Sequence, residues 1–98
     1  MAQFISFKTP CRPTLPEDST EEEQEIIGRH FQYLKDKLAA GELILAGRTQ
    51  EPPYIGISIF EAVDRAAAED FVAYDPAVAA GVFKAELQTY GVALLRGG

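Results

Sequence analysis

The stretch TEEEQEIIGRHFQYLKDKLAAG, Thr20–Gly41, carries the signals of a whole helix. Ser19 or Thr20 supplies a hydroxyl to cap it, with Glu22 or Glu23 respectively three residues on to complete a capping box. The acidic run Glu21, Glu22, Glu23 and Glu25 suits the positive end of a helix dipole. Ile27, Phe31, Leu34 and Leu38 then recur at spacings of four, three and four, which describes one buried face, with Lys35 and Asp36 off it. Gly41 follows Ala39 and Ala40, where a glycine in the left-handed conformation closes a helix. The spacing predicts a helix over about residues 20 to 40. His30, the only histidine of the chain, falls among its apolar groups: Ile26 and Ile27 lie one turn before it, Tyr33 and Leu34 one turn after. Histidine changes charge nearest neutral pH, so its surroundings decide whether it is inert or poised to move protons.

On the N-terminal side, Ala2 to Lys8 read as a short strand. Thr9 to Ser19 contain Pro10, Pro13 and Pro16, which remove backbone donors and fix φ, so a loop is expected to arch from strand to helix. On the C-terminal side, Leu43 to Gly47 and Ile55 to Glu61 read as the strands of a hairpin, separated by Thr49 to Tyr54 with the turn signal Pro52-Pro53. Asp64 caps a second helix bearing Ala67, Phe71 and Tyr74, and Asp75-Pro76 interrupts it. A short helical turn through Ala80 is followed by a last strand with Val82, Phe83, Leu87 and Tyr90, expected to continue with a kink to Leu95. The order β-α-β-β-α-β is that of an α+β, ferredoxin-like domain: a four-stranded antiparallel sheet with helices on one face. Its other face also carries apolar groups, and a second copy of the chain is the expected cover.

The 98 residues suit one domain spanning 1–98. Fifteen acidic residues against nine basic give a net charge of −6, and the basic residues are scattered singly. That pattern argues against nucleic-acid partners and anionic membrane surfaces. No apolar run approaches the ~20 residues of a membrane span, the N-terminus does not resemble a signal peptide, and a cytoplasmic location is expected. Cys11 is the only cysteine, which leaves no intramolecular disulfide and no thiolate zinc site; metal ligation would rest on one histidine and carboxylates, so no metal is expected.

Three features together resemble the YCII-related (YciI-like) family. His30 stands eleven residues before Gly41, Leu43 to Gly47 form a strand ending in Ala-Gly, and Asp75-Pro76-Ala77-Val78-Ala79-Ala80-Gly81-Val82 matches the Asp-Pro segment of the family. The resemblance covers nearly all of the chain and implies the dimeric α+β barrel fold, a homodimer, and a catalytic pair carried over onto His30 and Asp75. Taken alone, His30 reads as a core histidine satisfied by backbone or water, and Asp75 as the start of a turn. With the resemblance, Asp75 is expected to fix the tautomer of His30 and leave the other ring nitrogen to exchange a proton with a small cyclic or aromatic ligand. Elimination, dehydrochlorination or isomerisation without metal or organic cofactor is the expected chemistry; the alternative is a non-catalytic domain that binds a small molecule. Arg12 and Arg48 are candidates to orient a substrate oxygen, or else surface charges, and Tyr33 is a candidate phenolic donor, or else a packed ring. Cys11 reads as an incidental thiol.

Overall fold

A computed structural model of the chain describes residues 1–97. Strand β1 (Ala2–Pro10) leads through a one-turn helix α1 (Leu15–Asp18) into the long helix α2 (Glu21–Ala39). The hairpin β2 (Leu43–Arg48) and β3 (Gly56–Ala62) follows, then α3 (Arg65–Ala73), the one-turn α4 (Pro76–Ala79) and β4 (Phe83–Thr89). The strands form one antiparallel sheet in the order β2-β3-β1-β4, the α+β arrangement expected from the sequence. Among the described residues, no helix is long and apolar enough to cross a membrane.

The ends of α2 are built as the sequence expects. Of the two candidate caps it is Thr20 that accepts from the Glu23 backbone N–H, while the Glu23 side chain accepts from the backbone N–H of Thr20. Gly41 closes the helix at φ +80°, where its N–H reaches the Leu38 carbonyl and that of Glu42 reaches Lys37. Gly81, at φ +77°, ends α4 through the same pair of bonds, to Val78 and Ala77.

Register sorts the side chains onto two faces. Phe4 pairs with Phe60, Ser6 with Ser58 and Lys8 with Gly56, so these rows share the face under the helices. Phe4, Phe60 and Leu43 meet Leu34 of α2 and Phe71 and Val72 of α3 in the main core. Phe60 lies flat on Phe71 with ring centroids 3.9 Å apart, and 6.0 Å from Phe4. A second cluster, Leu15, Ala77 and Val82, takes in Ile26 and Ile27 and ties α1 and α4 to the start of α2. Ile5, Phe7, Ile57 and Ile59 point to the opposite face.

Three expectations are corrected. The proline-bearing segment is not all loop: Pro16 sits in the first turn of α1, where its missing N–H is no loss, and buried Leu15 holds that turn down. The buried stripe of α2 is displaced from the one the periodicity describes. Leu34 is buried, but Phe31 is 59% and Leu38 57% exposed, because the helix turns Tyr33 and Lys37 toward Phe71 instead. Finally, β4 stops at Thr89, because its partner β1 is running out: Thr89 faces Phe4, and Tyr90 donates its N–H to Gln3. Residues 90–95 continue without regular strand structure, with the Val92 N–H on the Gln3 side-chain oxygen.

Phe60→Ala removes the ring shared by both aromatic stacks and is expected to cost about 3–5 kcal/mol. The measurement is urea unfolding, with the midpoint falling and the slope unchanged.

Candidate functional site

Helix α2 and the turn between α3 and α4 converge on His30 and Asp75. Asp75 is the N-cap of α4: its Oδ1 accepts from the Ala77 backbone N–H at 2.9 Å, as an aspartate before Pro-Ala should. Its Oδ2 lies 2.6 Å from His30 Nδ1. The turn-forming and histidine-binding readings of Asp75 are thus both realised, one on each oxygen. The carboxylate is 1% exposed and the imidazole 15%. An ionised Asp75 accepts the Nδ1 proton, which puts the lone pair on Nε2. Among the described residues Nε2 has no hydrogen-bond partner, and the ring, packed edge-on to Phe83 at 5.1 Å, lines a cavity.

That cavity has a volume of about 580 Å³ and lies between the end of the sheet that carries Lys8, Ser58 and Gly56 and the helices α1 and α2. Phe31, exposed to solvent on one side, contributes to its wall, which explains an aromatic ring on a helix face that is not core. Leu15 and Pro16 of α1 form another part, and Tyr54 reaches across from the β2–β3 loop to donate its hydroxyl to Glu17 at 3.0 Å.

The remaining sequence candidates are dispersed. Arg48 lines the cavity at its exposed side. Arg12 does not line it: the guanidinium makes a forked pair with both Glu23 oxygens, at 2.7 and 2.8 Å, and a further bond to Asp18. This clamp holds the Glu23 carboxyl down to about 2, mainly through the Arg12 bond and then through the Thr20 backbone N–H. Tyr33 does not line the cavity either. Its hydroxyl donates to the Phe71 carbonyl at 2.6 Å, and burial, with smaller contributions from Asp75 and Glu42, pushes it up to about 12, so the phenol keeps its proton. Tyr33 therefore ties α2, one turn beyond His30, to the end of α3 that leads into Asp75.

Lys8 is the charged cavity residue that the sequence does not single out. It is only 5% exposed, and its ammonium donates to Ser6 Oγ at 3.2 Å and Ser58 Oγ at 3.1 Å. A signal for it exists. Phe4, Ser6 and Lys8 are in phase along β1, so a strand whose Phe4 faces the core must turn Lys8 inward as well. Burial pushes the Lys8 pKa below its ordinary 10.5, opposed by the field of Asp75. Among the described residues, no three His, Cys, Asp or Glu side chains gather where a metal could be held.

A family model described as YCII-related domain matches residues 8–87. No curated protein matches the chain. Among solved structures, the chain resembles 5-chloro-2-hydroxyhydroquinone dehydrochlorinase (TftG) from Burkholderia phenoliruptrix AC1100, in complex with 2,5-dihydroxybenzoquinone. The two share 20% identity and a TM-score of 0.70, over 91% of this chain and 93% of that one. It also resembles SnoaB, a cofactor-independent oxygenase from Streptomyces nogalater, at 11% identity and a TM-score of 0.51, over 99% of this chain and 97% of that one. At such identities the likeness speaks for the fold, which is that of the dimeric α+β barrel proteins.

The lowered pKa of Lys8 has a direct consequence for stability. Between that pKa and 10.5 the unfolded chain holds more protons at this residue than the folded one, so its contribution to stability rises with pH across that window. Urea unfolding of wild type and Lys8→Met at a series of pH values up to 10.5 is expected to show wild type gaining on the variant as pH rises.

Proposed function

The chain belongs to the YCII-related family, and on that premise we propose that it is a cofactor-independent enzyme. In this reading His30 and Asp75 act as an acid–base pair on a small cyclic or aromatic molecule. The observation that carries the proposal is the 2.6 Å contact of His30 Nδ1 with buried Asp75, which leaves Nε2 without a partner among the described residues on a ring that lines the cavity. Asp75 orients the ring and selects its tautomer; Nε2 takes or returns the proton. For a ring-chlorinated hydroquinone in its diketo form, Nε2 removes a proton from the ring carbon next to C–Cl, the C–H electron pair forms the double bond between those two carbons, and chloride leaves with the C–Cl pair. The net loss is HCl, and no oxidant is consumed. TftG, a dehydrochlorinase by name, makes this the first chemistry to test. Arg48 orients an oxygen of the ligand from the rim. Arg12 and Tyr33 contribute by fixing α2 rather than by touching substrate.

The same reading makes the protein a homodimer. Ile57 and Ile59 are only partly covered on the face away from the helices, and Leu45 beside them is 47% exposed. A second copy packed sheet to sheet would cover that face, as in the barrel fold the chain shares. Light scattering is expected to give twice the monomer mass for wild type, and Leu45→Lys to shift the protein toward monomer; a monomeric wild type would overturn this part.

The enzyme reading is tested by chloride release from a panel of chlorinated hydroquinones, 5-chloro-2-hydroxyhydroquinone among them. His30→Ala is expected to lower turnover by about 10²–10⁴-fold. Asp75→Asn should also lower it, because an amide N–H facing Nδ1 favours the tautomer that carries its proton on Nε2. A folded His30→Ala protein that turns over at the wild-type rate would refute the assignment, and saturable binding without turnover by wild type would favour a binding domain.

A further inference from the structure

The walls of the cavity carry a charge imbalance that the His30–Asp75 pair does not explain. Lys8 and Arg48 both line it, yet none of the fifteen Asp and Glu residues, all of them among the described residues, does, in a chain whose net charge is −6. Asp75 stands behind His30 with both oxygens engaged. Lys8 and Arg48 each pair with Gly56 from opposite sides, so they occupy one row of the sheet, with backbones about 10 Å apart. Gly56, which also lines the cavity, puts no side chain between them.

Lys8 is the more demanding of the two cations. Its ammonium has three N–H donors, and Ser6 and Ser58 take two. Among the described residues no carboxylate contacts it; Asp75 acts only through its field. A cation so deeply buried is costly without an anion in contact, and the molecule supplies none.

We propose that the cavity takes a small planar molecule bearing one deprotonated oxygen, a phenolate or an enolate, and that the remaining N–H of Lys8 holds that oxygen. One free donor on Lys8 suits a single-oxygen anion, whereas a carboxylate would present two charged oxygens to that one donor. Arg48 draws the anion in from the exposed side. This deepens the acid–base reading of the site and rests on it: with the negative oxygen fixed at Lys8 and conjugated to the ring, Nε2 of His30 is left to act elsewhere on the same ring.

The probe is 4-nitrophenolate, compared with its uncharged near-isostere nitrobenzene, by calorimetric titration at a pH where the phenol is ionised. Wild type is expected to bind the phenolate at least about ten-fold more tightly. Lys8→Met is expected to lose that preference, with folding checked by circular dichroism, and His30→Ala to keep it. Equal affinities for the two probes in wild type would overturn the proposal, and this arm decides even if Lys8→Met does not fold. A folded Lys8→Met protein that retains the preference would overturn it too. A Lys8→Met protein that keeps the phenolate preference, while His30→Ala still lowers turnover, removes the anchor and leaves the acid–base pair standing. The converse result removes the acid–base pair alone.

Discussion

The carboxylate of Asp75 joins parts of the chain that are 45 residues apart in sequence and makes the geometry of the site a matter of folding. Burying an ionised carboxylate to 1% exposure is costly unless its lone pairs find donors, and here each oxygen has one: a backbone N–H at the start of α4 and the imidazole of α2. The first is local to the turn, but the second exists only when α2 is docked against that turn. The group that orients His30 is therefore the group that requires α2, α3 and α4 to meet where they do. Tyr33 acts in the same direction from one turn further along, through the Phe71 carbonyl.

Much of this was legible in the sequence, and the reasons are local. Thr20 with Glu23, Asp64, Asp75 and Gly41 signal helix ends through hydrogen bonds that close within a few residues, and each makes the bonds its position implies. The hairpin strands lie within one residue of their expected limits because aliphatic runs and a Pro-Pro turn bound them on both sides. What was illegible depended on tertiary contacts. Whether Phe31 or Tyr33 faces the core is settled by where α3 places Phe71, and no spacing within α2 records that. The one-turn α1 exists because Leu15 finds Ala77 and Val82, residues far along the chain.

The charged candidates divide on the same principle. Arg12 was attractive as an anion ligand, but an acidic helix start three turns away in the chain competes for it, and Glu23 with Asp18 takes its donors. Lys8 looked like the polar end of a strand and is instead a lining residue, because β1 runs on to Pro10 and keeps its alternation under the helices. A chain with fifteen acidic side chains directs them to caps, clamps and solvent, and leaves the cavity to cations.

Glu23 has a mechanical consequence beyond its charge. It serves the capping box and the Arg12 clamp at once, so the first turn of α2 is fastened to the incoming loop, while Tyr33 fastens the helix to α3 ten residues later. Between those two anchors the helix has no freedom to slide. A slip of one residue would carry His30 about 1.5 Å along the axis and about 100° around it, enough to sever its contact with Asp75. The segment from Glu23 to Tyr33 thus behaves as a ruler: side chains can be exchanged along it, but its length cannot change.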